Sequence, residues 1–102
     1  MNVLIYNITL NVKKAIHEDW LQWYKKNHIP DVMNTLCFTE CKLYRVIYND
    51  EIDYSYRMHY FFNHIDNYNR YEVNYADSLN KKHSDRFPQI IVTATLLEEI
   101  DL

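Results

Sequence analysis

The spacing of apolar residues along this chain switches between a period of two and one of about 3.6 in a set order, and that order limits the folds open to it. Residues 3–12 alternate, with Leu4, Tyr6, Ile8, Leu10 and Val12 on one face and Asn7, Thr9 and Asn11 on the other. Residues 14–27 change to helical spacing, with Ile16, Trp20, Trp23 and Tyr24 on one side. Glu18 and Asp19 come early and Lys25 and Lys26 late, which suits the helix dipole. Pro30 fits the first position of a new short helical turn reaching Asn34. Residues 37–48 are rich in strand formers, and Asn49-Asp50-Glu51 reads as a hairpin connection. Residues 54–62 alternate again, with Tyr54, Tyr56, Met58, Tyr60 and Phe62 facing one way and Arg57 and His59 the other. Asn63 and Asp66 resemble a capping box for a second helix, about 64–84, carrying a stripe of Tyr68, Tyr71, Tyr75 and Leu79. Pro88 ends that region, and residues 89–98 form a last strand with Ile90, Val92, Ala94 and Leu96 on one side.

The order is therefore β-α-β-β-α-β, with no repeat or linker, over one domain spanning residues 1–102. This is the α+β, ferredoxin-like arrangement: a four-stranded antiparallel sheet with two helices on one face. The aromatic strand faces are assigned to the helices. The other face then carries Val3, Ile5, Leu43, Ile47, Phe61, Ile91 and Leu97 among Asn7, Thr9, Arg45, Arg57, His59, Thr93 and Thr95. That mixture is too apolar to leave to water and too polar for a monomer core. The expectation is a homodimer formed by sheet-to-sheet contact.

Composition excludes several function classes. The chain has no glycine, so neither a P-loop nor a dinucleotide fingerprint exists, and left-handed turns must use other residues; Asn27, Asn34 and Asn49-Asp50 fall where reversals are wanted. Eleven basic against fourteen acidic residues give a net charge of -3, which argues against nucleic-acid binding. Paired lysines at 13–14, 25–26 and 81–82 are too scattered for a membrane-surface patch, and no apolar run is long enough for a span. The start of the chain reads as a strand and not as a signal peptide, so a soluble cytoplasmic protein is expected. Cys37 and Cys41, placed on one strand, would lie roughly 13 Å apart, too far for a disulfide or one shared metal. The five histidines show no metal-ligand spacing, and neither a metal nor another cofactor is expected.

Three groups of residues are candidates for chemistry. His28 follows the aromatic helix face and precedes Pro30 by two positions, where it could serve as an acid or base at a pocket walled by Tyr6, Trp20, Trp23, Tyr24 and Tyr60. Its bland alternative, the commoner one, is to bond the last free carbonyls of a helix end. Arg45, Arg57 and His59 share the second sheet face by alternation and could hold an anion. The alternative, again the commoner, is ion pairing across the dimer with acids such as Glu98 or Glu99. The tyrosines at 6, 44, 56, 60, 68, 71 and 75 are most simply core, although so many phenols also suit a polar-lined cavity for an aromatic ligand.

The segment W-x-x-W-Y-x-x-x-H-I-P-D (Trp20 to Asp31), with the topology and length, resembles the dimeric α/β-barrel superfamily. More closely, the chain resembles an uncharacterised bacterial family, the domain-of-unknown-function family 4286, from end to end. The shared pieces are Y-N-I-T-L-N-V (Tyr6 to Val12), I-H-E-D-W-L-Q-W (Ile16 to Trp23), H-I-P-D-V-M (His28 to Met33), Cys37 with Arg45, Tyr68 with Tyr71, H-S-D-R-F (His83 to Phe87) and L-L-E (Leu96 to Glu98). Pro88 stands where that family pattern has glycine. The resemblance implies a dimeric ferredoxin-like fold and no particular activity. His28 and Pro30 match the superfamily's H-x-P element beside a pocket between sheet and helices. The expectation is a homodimeric small-molecule-binding domain, in one version a cofactor-independent isomerase or monooxygenase using His28. The alternative is a non-catalytic metabolite-sensing or protein-interaction module.

Overall fold

The computed structural model describes residues 2–47 and 53–102. Its strands are β1 (Leu4–Lys13), β2 (Glu40–Arg45), β3 (Asp53–Phe62) and β4 (Ile91–Glu98), in the sheet order β2-β3-β1-β4. Every neighbouring pair is antiparallel. The hairpin connection expected at Asn49-Asp50-Glu51 lies outside the described residues. The fold is the four-stranded, two-layer ferredoxin-like one that the periodicity predicts.

Register explains the core. Tyr6, Ile8, Leu10 and Val12 of β1 stand opposite Tyr60, Met58, Tyr56 and Tyr54 of β3. All of these but the half-buried Tyr54 are buried, under the helices. Trp20 crosses to Tyr56 at 5.0 Å between ring centres, and Tyr71 to Tyr6 at 5.8 Å, so both helical layers sit on this face.

Strand β2 departs from the expected facing. Leu43 pairs with Met58 and Arg45 with Tyr56, which puts both on the helix side, whereas Tyr44, opposite Arg57, lies on the open face. Alternation sets only the parity within a strand. Which parity faces the core is fixed by its pairing with β3, and a one-residue slip reverses every side chain. Cys37 also lies outside the strand: it is buried in the loop before β2, its thiol directed at the Thr35 carbonyl. Both cysteines are free.

Each helical layer is one rod with a wide π-helical turn inside it. The first comprises α1 (His17–Trp23), a π turn (Tyr24–His28) and α2 (Ile29–Met33). The helix therefore does not end at His28, contrary to expectation. Pro30 has no N–H and its ring crowds the carbonyl four residues back. The wide turn accommodates this: the Ile29 N–H bonds the Tyr24 carbonyl five residues earlier, and the Asn27 side chain takes the Trp23 carbonyl at 3.2 Å. Asn27 and Asn34 are thus not left-handed reversals. Among the described residues only Leu36, with φ 62°, is.

The second rod comprises α3 (Ile65–Tyr71), a π turn (Glu72–Ala76) and α4 (Asp77–Arg86). Its cap is His64, whose Nδ1 accepts from the Asp66 N–H at 3.1 Å; Asn63 does not fill this role. The extra residue in the π turn moves the buried stripe from Tyr75, 37% exposed, to Ala76. Strand β4 lies beyond the cover of both rods. Its helix-side residues Val92 and Leu96 remain 45% and 44% exposed.

Candidate functional site

The uncovered margin of the sheet creates the site. A half-open cleft of about 630 Å³ lies between the β1–β4 half of the sheet and the helical rods. Ile8, Leu10, Val92 and Ala94 form an apolar floor. Tyr24, His28 and His83 line the helical side, and Asp77, Asn80, Lys81 and Ser84 of α4 are also in the lining. Lys81 is paired with Asp85 at 2.7 Å, and Lys82 behind it with Asp31 at 3.1 Å.

His28 closes the π turn. It lies four residues after Tyr24, on the same face of the rod. Here its ring stacks on Tyr24, 4.8 Å between centres and 17° between planes. It is buried, and among the described residues its ring forms no hydrogen bond. It does not bond free carbonyls at a helix end, because the helix continues past it. Burial holds its pKa down at about 4; His83 and Lys82 lower it further while Asp31 opposes them.

His83, on α4, is the second imidazole, 5.4 Å from His28 between ring centres. Its Nε2 lies 2.9 Å from the Trp20 indole nitrogen, in the interior. Burial lowers its pKa to about 4 as well. Both rings are neutral at pH 7. Burial also raises the Tyr24 phenol and lifts Tyr6 to about 12, so these groups stay protonated. His83 opens the H-S-D-R-F segment shared with the family, but no metal or catalytic spacing in the sequence marks it as a site residue; its place four residues after Leu79 on the same helix is the other signal.

Of the expected pocket walls, Tyr6 and Tyr24 line the cleft, and Trp20, Trp23 and Tyr60 do not. Trp20 is enclosed behind His83. Trp23 lies on another side, in a shallow groove with Gln22 and Phe87, where Arg86 sits over its ring at 5.9 Å. Tyr60 is fully enclosed; its hydroxyl interacts with Tyr24 without reaching hydrogen-bond geometry.

The expected cluster of Arg45, Arg57 and His59 is divided by the sheet. Arg57 and His59 face the open side opposite Thr9 and Asn7. Arg57 donates to Ser55 at 2.7 Å, and His59 packs edge-on against Tyr44 at 5.1 Å. Arg45 is on the helix side, over the Tyr54 ring at 5.7 Å. Glu98 stands opposite Leu4, also on the helix side, and so is not placed to pair with Arg57 across the open face. Among the described residues no group of three His, Cys, Asp or Glu side chains could hold a metal ion, and no helix is long and apolar enough to cross a membrane.

Comparison with solved structures places the fold. A dimeric ferredoxin-like protein from an uncultured marine organism superposes with a TM-score of 0.78 at 11% identity, over 100% of this chain and 99% of that one. A Dabb family protein with a ferredoxin-like fold from Mesorhizobium loti gives 0.68 at 16% identity, over 100% and 99%. A dimeric ferredoxin-like protein of unknown function from Thermobifida fusca gives 0.56 at 8%, over 97% and 93%. At these identities the likeness shows the fold alone. No curated protein matches the chain significantly. Residues 3–100 match the family described as Domain of unknown function (DUF4286), and the chain belongs to that family.

Proposed function

We propose that this chain is a homodimeric small-molecule-binding domain whose ligand lies in the cleft beside His28 and His83. The observation that carries this reading is the meeting of two neutral imidazoles on a concave surface with an apolar floor. Pockets of this size and lining suit a flat organic ligand oriented by few polar groups. In the enzymatic version, a cofactor-independent isomerase or monooxygenase, His28 moves the proton: its ring is neutral at pH 7 and free to take one, and burial makes it a weak base that gives it up again. In the non-catalytic version the same groups only hold the ligand.

Dimerisation is part of the proposal. The open face carries Ile5, Phe61, Leu97 and Ile91 beside Asn7, Thr9, Thr93 and Thr95. Ile91 is 66% exposed and Leu97 42%. Strand β4 has a free outer edge with no proline or lysine to protect it. A second copy would cover this apolar surface, and two fold relatives are described as dimeric.

The test is a thermal-shift screen of flat aromatic fragments on the wild type and on Ala94→Trp, which fills the floor of the cleft. Stabilisation lost in Ala94→Trp supports the cleft; hits unaffected by it contradict it. With a hit in hand, His28→Gln separates the versions. An enzyme loses turnover and keeps its ligand, whereas a binding module shows no turnover and binds more weakly.

A further inference from the structure

The charges around the cleft limit what can enter it. Of the described residues that line it, only Asp77 and Lys81 are formally charged. Lys81 is flanked by acids along α4: Asp77 lies one turn before it and Asp85 one turn after, with a carboxylate oxygen 2.7 Å from the Lys81 Nζ. The other cations of α4 are engaged elsewhere. Lys82 meets Asp31 at 3.1 Å, and Arg86 lies over the Trp23 ring in the neighbouring groove. Both lysines near the mouth thus already have a carboxylate beside them.

The two imidazoles add no cation. The Trp20 indole N–H is a donor only, and its contact with His83 Nε2 at 2.9 Å requires that nitrogen to accept. A protonated imidazole carries hydrogen on both nitrogens and could not do so, so the Trp20 bond holds His83 uncharged. His28 is buried against Tyr24, and its burial keeps it neutral as well. The floor of Ile8, Leu10, Val92 and Ala94 supplies no polar side chain. A charged ligand would leave water for a place that offers little in exchange. An anion is repelled by Asp77 and must displace Asp85 to reach Lys81. A cation can meet Asp77, but that carboxylate is exposed, where an ion pair contributes little.

Resting on the small-molecule reading above, we infer that the cleft selects uncharged ligands: flat esters, ketones and phenols enter, whereas carboxylates, sulfonates, phosphates and ammonium compounds are turned away. Which ring nitrogen faces the ligand does not matter here, because a charge acts over distance and not along one bond. Trp20 and Asp85 act from behind the lining: one keeps His83 neutral and the other occupies Lys81.

The experiment is isothermal titration of the full chain at pH 7 with three naphthalenes of like shape: the neutral 2-(methylsulfonyl)naphthalene, the anion naphthalene-2-sulfonate and the cation 2-naphthyltrimethylammonium. The neutral compound should bind at least about tenfold tighter than either ion, a modest part of what an unpaired charge loses on leaving water. Its binding should vanish in Ala94→Trp. Asp85→Asn, which frees Lys81 from outside the lining, should tighten the sulfonate about threefold, the scale of one exposed ion pair, and leave the neutral compound unchanged. A sulfonate or ammonium that binds as tightly as the neutral compound overturns the charge selection and leaves the cleft reading standing. A sulfonate indifferent to Asp85→Asn overturns the role given to Lys81. Binding of none of the three, or neutral binding that survives Ala94→Trp, overturns both readings.

Discussion

The indole N–H of Trp20 donates to Nε2 of His83 across 2.9 Å, joining the first helical rod to the second inside the core. Losing this bond leaves a buried acceptor without its donor. Trp20→Phe should therefore destabilise the fold by about 2–4 kcal/mol, combining the unmet acceptor with the lost ring volume. Urea denaturation of the two proteins measures this; a difference under ~1 kcal/mol would mean that the bond contributes little.

Acid should weaken the protein through the same pair. The unfolded chain protonates its histidines near pH 6.5, whereas folded His28 and His83 resist to about pH 4. Their neutral state thus contributes stability that is fully present above pH 6.5 and is lost progressively as pH falls toward 4. The scale is on the order of 3 kcal/mol per imidazole. Urea midpoints at pH 7, 5.5 and 4.5 should fall steadily. A His28→Gln, His83→Gln double variant should flatten much of that fall, and an unchanged slope would contradict the assignment.

Leu36 holds a left-handed backbone, φ 62°, while its side chain is 79% exposed. Its carbonyl accepts from Arg70 at 3.1 Å, which ties the loop to α3 in this conformation. Leucine is strained there and glycine is not. Leu36→Gly should raise stability by about 0.5–1 kcal/mol, the relief being partly offset by the freer unfolded chain. A lower melting temperature would show that the Leu36 side chain contributes more than the backbone costs.

How far the sequence foretells this structure depends on the range over which each signal acts. Element order and the facing of β1 and β3 were legible, because alternation over ten residues is a local property. The facing of Leu43, Tyr44 and Arg45 was not, because it is set by register with β3. The two π turns are not legible in the sequence either, because a 3.6-residue period carries no mark of one inserted residue. Pro30 signalled a disturbance, read as a helix end. His83 is visible at the head of H-S-D-R-F, but its place in the site is not, because its partner Trp20 is 63 residues away.

The open face predicts its own assembly. Ile5→Glu or Thr95→Arg places a charge in the middle of the proposed sheet-to-sheet contact, and Asn7 already donates to Thr95 there at 3.3 Å. Light scattering at micromolar concentration should give a dimer for the wild type and a monomer for either variant. A monomeric wild type would defeat the dimer.

A flat small molecule lying between His28 and His83 must perturb both rings, and the histidine ring signals report this while 2-naphthol is added. The His28 and His83 resonances should shift together and saturably, and those of His59 and His64, on the open face and at the α3 cap, should stay still. Unmoved His28 and His83 signals, or shifts confined to His59, would contradict it.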